Sequence, residues 1–234
     1  MGEKMSNLVI GIEGLVGAGK TSICRELIKK MPNTVLVNGG NLYRAIIYTL
    51  MNNTMNLNEL KNNAQNIDIK ELMDKFNIKL KIENNETIIY INGQKVDEEK
   101  IQSKEASMAV SSVGGKTKEE GLFNFARDLI DNLKEKYNVI ISGRGINTIY
   151  PKIDYHFFIT ASLEERVKRK LSQYHNEEDK KEIEENIIKR DKLQKQAGYY
   201  KIHNNTIVVD VTECKNIEES TIKVMQKIKL PELV

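Results

Sequence analysis

The chain is 234 residues long, enough for one large or two small domains with a sizeable buried core, and a single catalytic unit is the simplest assumption. Its 36 Lys and Arg nearly cancel its 33 Asp and Glu, and the net charge of +3 excludes the global basic field of a nucleic-acid-binding protein. Two cysteines, Cys24 and Cys214, and three scattered histidines exclude a disulfide framework and a His-based metal site, as expected of a reducing compartment. Met1 to Asn7 lacks a signal-peptide apolar stretch and no apolar run reaches membrane-spanning length, so a soluble cytoplasmic protein is expected.

The first predicted strand, Leu8–Glu13, leads into Gly-Leu-Val-Gly-Ala-Gly-Lys-Thr between Gly14 and Thr21, and a helical pattern follows to Lys30. In that context the glycine-rich stretch is a phosphate-binding loop. Gly14, Gly17 and Gly19 permit positive φ and bring successive N–H groups around a phosphate at the positive end of the next helix. Gly14, Gly17, Ala18, Gly19, Lys20, Thr21 and Ser22 form the expected ATP site, with Lys20 reaching the β- and γ-phosphates and the Thr21 hydroxyl on Mg²⁺.

Strand Thr34–Asn38 and helix Leu42–Met51 come next, followed by an asparagine-rich tract from Asn52 to Asn66 that reads as a mobile connection. Within 57–113, Ile78–Ile82 alternates with period two, Asn84-Asn85 turns, Thr87–Ile91 returns, and Asn92-Gly93 turns again into Gln94–Val96. These signals predict a small antiparallel meander, a separate lobe inserted into the sheet domain and not a further parallel strand. Helix Lys118–Tyr137, strands Asn138–Ser142 and Tyr155–Ile159, helices Leu163–Ser172 and Asp179–Lys195, strand Thr206–Asp210 and helix Asn216–Lys229 complete the chain. The five principal strands are continuous apolar runs, as in parallel strands covered on both faces, and the β-then-α order predicts an open doubly wound sheet with its crevice at the strand carboxyl ends.

Phosphoryl transfer needs positive charge and accurate positioning around the transferred group, so arginines are the residues to seek. Arg144 follows the strand end Ile141-Ser142-Gly143, and Arg44 opens the helix after the second strand; the competing reading for each is a surface salt bridge. Arg166 and Arg169 share a helix face, and Arg190 lies on the next helix beyond the charged stretch His175 to Glu185. Two helices joined by such a turn are either a lid carrying guanidiniums over the phosphates or a solvated basic face. Glu13, beside the loop, either orients a magnesium-bound water or is a solvated strand end.

Taken together these segments resemble bacterial cytidylate kinases, which phosphorylate CMP and dCMP from ATP. Gly40-Asn41-Leu42-Tyr43-Arg44 is similar to the family's Gly-Ala-Met-Tyr-Arg, and Ile91-Asn92-Gly93-Gln94-Lys95-Val96 falls in the inserted lobe that marks the bacterial type. Ala106 to Ser111 resembles Val-Ser-Asn-Ala-Ala-Ser, Gly143 to Thr148 resembles Gly-Arg-Asp-Ile-Gly-Thr, and Ile159 to Arg166 and Arg190-Asp191 close the set. The resemblance implies a P-loop nucleoside monophosphate kinase fold: a five-stranded parallel sheet with helices on both faces, with core 1–56, 114–160 and 196–234, acceptor-binding lobe 57–113 and lid 161–195. It implies that Arg44 and Arg144 hold the acceptor monophosphate, that Ser111 contacts its base, and that Lys20, Arg144, Arg166, Arg169 and Arg190 are catalytic. Mg²⁺, held at Thr21, accompanies ATP. ATP and a nucleoside monophosphate are the expected partners of a monomer that binds neither nucleic acid nor membrane.

The departures concentrate on the acceptor side. The family's Ser before Gly-Ala-Met-Tyr-Arg is Gly39, an arginine near the base is Glu120, the Asp after Gly-Arg is Gly145, a second Asp and a following Arg fall at Gln194 and Ala197, and Ser142 replaces a strand-end aspartate. Losing buried recognising groups weakens discrimination. Another nucleotide or small-metabolite acceptor, substitute contacts from Gln196 to Lys201, and a non-catalytic nucleotide-binding paralogue therefore stay open. A GTPase is disfavoured by the lack of an Asn-Lys-x-Asp motif and of an Asp-x-x-Gly after a strand.

Overall fold

A computed structural model describes residues 7–173 and 179–229. Residues 1–6, 174–178, which include the start of the charged stretch expected to join the lid helices, and 230–234 lie outside the described residues. Among the described residues eight strands form one sheet: β1 Val9–Gly14, β2 Thr34–Asn38, β3 Lys79–Glu83, β4 Glu86–Ile91, β5 Gln94–Lys95, β6 Asn138–Ser142, β7 Tyr155–Thr160 and β8 Thr206–Asp210. The five predicted parallel strands stand in the order β2-β6-β1-β7-β8, with Val9 opposite Val139, Leu36 opposite Ile140 and Ile12 opposite Phe157. Every residue of β1 and β2 is buried, which is why neither shows polar alternation.

Alternate β1 side chains feed two cores. Ile10 and Ile12 join Ile23 and Leu27 of α1 (Lys20–Lys30), Phe157 of β7 and Val224 of α11 (Ile217–Met225). Val9 faces the other way, with Val35, Val139, Ile130 and Leu133, the last two from α7 (Glu120–Lys134). Helices thus cover both faces of the central strands, whereas β8, expected to be covered on both faces, is corrected to a partly open edge strand with Val208 53% exposed. No helix among the described residues is long and apolar enough to cross a membrane.

The segment after β2 carries α2 (Gly39–Asn53), α3 (Leu57–Asn63), α4 (Ile69–Lys75), the meander β3-β4-β5, α5 (Glu98–Ile101) and α6 (Lys104–Val113). Its antiparallel pairings, such as Leu80 opposite Ile89, follow the alternation in the sequence. Two expectations are corrected. First, β4 does reach the parallel sheet: Leu36 pairs in parallel with Glu86, and Arg25 of α1 clamps Glu86 and Glu98, each at 2.9 Å. Second, the asparagine-rich tract is largely helical. Asn56 accepts from the N–H groups of Asn58 and Glu59 while the Glu59 carboxylate returns to the Asn56 N–H, a capping box that starts α3. Last, α8 (Ile146–Ile149) follows β6, and α9 (Leu163–Gln173) and α10 (Lys180–Gln196) pack Val167, Ile183 and Ile187 onto Val16 of the glycine-rich loop.

Candidate active site

The loop leaves β1 at Gly14 with φ 143°, where a Cβ would stand 2.1 Å from the Ile159 carbonyl oxygen, so only glycine fits. Gly17 and Gly19 also have positive φ, 78° and 91°. Gly19 caps α1 without a side-chain hydrogen bond, which leaves the first-turn N–H groups, including those of Thr21 and Ser22, directed at the cleft. Buried Ala18 gives the loop floor. Lys20 donates from Nζ to the Leu15 carbonyl at 2.7 Å. Burial, and then the positive charges of Arg144, Arg44 and Arg190, hold its pKa well below the usual lysine value.

Those three arginines converge on a cleft of about 490 Å³ at the carboxyl end of the sheet. Asn38, at the end of β2, accepts from the Asn41 N–H at 3.1 Å, so α2 begins at Gly39, three residues before the sequence pattern suggests. Asn41 then accepts from Arg44 Nη1 at 3.0 Å. The Arg44 Nε is buried with no hydrogen-bond partner among the described residues, and burial with the nearby Arg190 and Arg144 pushes the guanidinium down to about 9. Arg144 donates from Nε to Gln194 Oε1 at 3.0 Å and from Nη1 to the Gly143 carbonyl at 3.0 Å, with its guanidinium 5.9 Å from the centre of the Tyr200 ring. The turn behind it places Gly145 at φ 63°, in the left-handed region that favours glycine.

Glu13 is corrected from a solvated strand end to a buried group, 2% exposed. Its carboxylate accepts the Ile146 N–H and lies 3.4 Å from His156 Nε2, so it fixes the turn that carries Arg144. Behind it, His156 Nδ1 is in hydrogen-bond contact with Thr206 Oγ1 at 2.8 Å, and the same Oγ1 accepts from the His203 N–H at 3.0 Å.

The helical arginines separate into two groups. Arg190 lines the cleft. Arg166 is buried and donates to the carbonyls of Ala161 and Val16, at 3.1 and 3.0 Å, and to Asp191 at 2.5 Å; Arg169 donates to the carbonyls of Ala18 and Val211 at 3.2 and 3.0 Å and to Glu165 at 3.0 Å. In this conformation both brace the loop. Asp191 completes the brace by accepting from the Val16 N–H at 3.0 Å and the Tyr200 hydroxyl at 2.5 Å.

On the acceptor side Ser111 lines the cleft and donates its hydroxyl to the Ser107 carbonyl at 2.9 Å. Glu120 is exposed; the carboxylate that lines the cleft is its neighbour Glu119. Gln194 is buried against Arg144, and Tyr199, from the 196–201 segment, also lines the cleft, whereas Ala197 packs against Gly115. Among the described residues no cluster of three His, Cys, Asp or Glu could hold a metal, and Thr21 is the cleft hydroxyl beside the loop lysine. A magnesium ion that takes one protein oxygen and otherwise phosphate oxygens and water suits that donor set. The parts that sequence reasoning missed, Asp191 as a brace, Gln194 as the Arg144 partner, and Glu119, depend on how α10 and the α7 start pack against the loop and the sheet end.

The family model described as cytidylate kinase matches residues 10–230. A cytidylate kinase of Clostridioides difficile (strain 630) is 32% identical over 236 residues, covering 97% of this chain and 100% of that protein. One from Caldicellulosiruptor saccharolyticus is 32% identical over 230 residues, covering 95% and 96%. Among solved structures, thymidylate kinase from Candida albicans is 16% identical, with 94% of this chain and 90% of that one covered and a TM-score of 0.45, a likeness too slight to carry argument. A family match over nearly the whole length, with relatives above 30% identity end to end, establishes that this chain belongs to the cytidylate kinase family.

Proposed function

We propose that the protein is a cytoplasmic, monomeric enzyme that transfers the γ-phosphoryl group of ATP to CMP or dCMP. The supporting observation is the convergence of Lys20, Arg44, Arg144 and Arg190 on one cleft beside the open N-terminus of α1. Like charges so concentrated are costly without a polyanion to receive them. The relatives named above carry the acceptor identity.

In this reading the α1 N–H groups and the loop amides take the ATP phosphates, and Lys20 exchanges the Leu15 carbonyl for phosphate oxygens. Arg44 and Arg144 present paired N–H donors to the acceptor monophosphate, oriented by Asn41 and by Gln194. Arg190 adds charge where the transferred group becomes electron-rich. Arg166 and Arg169 act by holding the loop backbone in shape. Magnesium, held by Thr21 with nucleotide oxygens and water, would neutralise phosphate charge. Alignment and charge neutralisation suffice for the transfer, without a general base.

A coupled ADP-release assay with CMP, dCMP, UMP and AMP tests this. The expected result is the highest efficiency with CMP or dCMP. ATP binding without ADP formation in the presence of any acceptor would overturn it and mark a non-catalytic nucleotide-binding paralogue.

A further inference from the structure

We infer that Glu119 sets the base specificity of the acceptor site by accepting an amino hydrogen from the nucleobase, so that an aminopyrimidine is taken and an oxopyrimidine refused. The inference deepens the proposed acceptor reading and rests on it for the phosphate end of the cleft, where Arg44 and Arg144 stand. Glu119, at the start of α7, lines the same cleft beside Tyr43 and Tyr199.

The hydrogen-bond directions at that end can be worked out. The Thr117 hydroxyl donates to Glu119 Oε1 at 3.1 Å, so the Tyr43 hydroxyl must be the donor in its 2.7 Å contact with Thr117 Oγ1. Oε1 also accepts the Gly115 N–H at 3.2 Å. Among the described residues the one hydrogen bond drawn to Oε2 comes from the Tyr199 hydroxyl, at 3.4 Å, the outer limit of a hydrogen bond and shared with Oε1 at 3.5 Å. A carboxylate offers about four acceptor positions, so Oε2 retains capacity. Ser111, whose proton goes to the Ser107 carbonyl, likewise presents lone pairs to the cleft. Burial and the Glu119 charge raise the pKa of both phenols, so Tyr199 stays a neutral O–H that can swing to an acceptor on the ligand.

This end of the cleft therefore offers an under-used carboxylate oxygen beside one loosely held O–H. Cytosine presents the complement along one edge: a 4-amino donor next to the N3 acceptor. Uracil and thymine present the reverse, a 4-oxo group next to N3–H, and their oxygen would face Oε2 without a proton between them. A site built to bond a donor rejects the isostere lacking it, because its own buried group is left unpaired.

The test is Glu119→Gln, which keeps an acceptor oxygen for Gly115 and Thr117 and adds an amide donor that can face a 4-oxo group. Binding of CMP and UMP is measured calorimetrically for both proteins, with kcat/KM for each nucleotide and with the melting temperature as control of the fold. Native protein should prefer CMP by on the order of 10²-fold, and the variant should lose about tenfold or more of that ratio, chiefly by taking UMP better. If the wild type binds the two equally, or the variant keeps the native ratio within about twofold, the inference is overturned. The calorimetric ratio is independent of turnover. Failure of ADP release with a CMP preference that Glu119→Gln removes would therefore sink the proposed activity and leave the recognition standing. Should the variant melt well below the wild type, Tyr199→Phe, which removes the swinging donor and leaves the carboxylate, must still lower CMP affinity more than UMP affinity.

Discussion

Replacing Arg44 by methionine should make the unliganded protein more stable and the liganded protein less so. The guanidinium is half-buried, its Nε has no partner among the described residues, and Arg144 and Arg190 stand near it. Depression from 12.5 to about 9 corresponds to about 5 kcal/mol against the charged form at neutral pH. That figure is an upper bound, because the cluster relaxes and water enters. Methionine fills a similar volume without charge, so a net gain of about 1–3 kcal/mol is expected, or a rise of about 2–10 °C in melting temperature for a chain of this size. The sign with pH follows: a cation whose folded pKa is lowered destabilises the fold at every pH below about 9, and the penalty is relieved only as pH rises from there towards 12.5. Melting at pH 7 therefore reads it in full. CMP at a hundred times its Kd adds about 2.7 kcal/mol to the wild type, and the variant, lacking the guanidinium proposed to hold the acceptor phosphate, should gain almost nothing. The two melting curves should exchange order when CMP is added wherever the unliganded gain is below that figure of about 2.7 kcal/mol. An Arg44→Met protein that melts below the wild type without ligand would refute the reasoning that the cleft stores unfavourable charge.

Lys20→Ala should lower kcat by on the order of 10²- to 10³-fold while leaving the melting temperature unchanged or raised, since its ammonium is buried among like charges; near-native turnover at saturating ATP would contradict the loop assignment. Cys24, buried under the loop with its thiol pushed up to about 12, should resist iodoacetamide at pH 8, where only about one thiol in 10⁴ is ionised, and should be labelled in guanidinium; peptide mapping by mass spectrometry checks this, with rapid labelling of the native protein as the contrary outcome.

Elements with a single dominant physical cause were legible in the sequence. The continuous apolar runs at Val9–Gly14 and Thr34–Asn38 are strands because both faces are buried, and the glycine spacing from Gly14 to Gly19 can serve little besides a backbone cradle. The start of α2 was not, because Gly39 and Gly40 are poor helix formers and the Asn38 cap outweighs them. In the tract from Asn52 to Asn66 composition suggested a mobile connection, while the positions of Asn56 and Glu59 determined a helix. At the site, Arg44 and Arg144 could be placed at the rim from strand order alone. The roles of Asp191, Gln194 and Glu13 could not, since each depends on a partner between 50 and 175 residues away in sequence. Glu119 and Glu120 are adjacent and chemically identical, and only the phase at which α7 begins decides which of them meets the cleft.

The brace around Val16 has a thermodynamic corollary. Its N–H is held by Asp191 of α10 and its carbonyl by Arg166 of α9, and those two side chains are bonded to each other, which closes a ring through three segments. Any excursion of the two helices away from the loop must open that ring or carry Val16 along. Order in the phosphate loop and order in α9 and α10 are therefore linked quantities, and linkage is reciprocal: what an anion contributes by settling the loop is returned as protection of helices it never touches. An inhibitor that wedged the helices apart would, by the same identity, lower the affinity for ATP without occupying any part of its site.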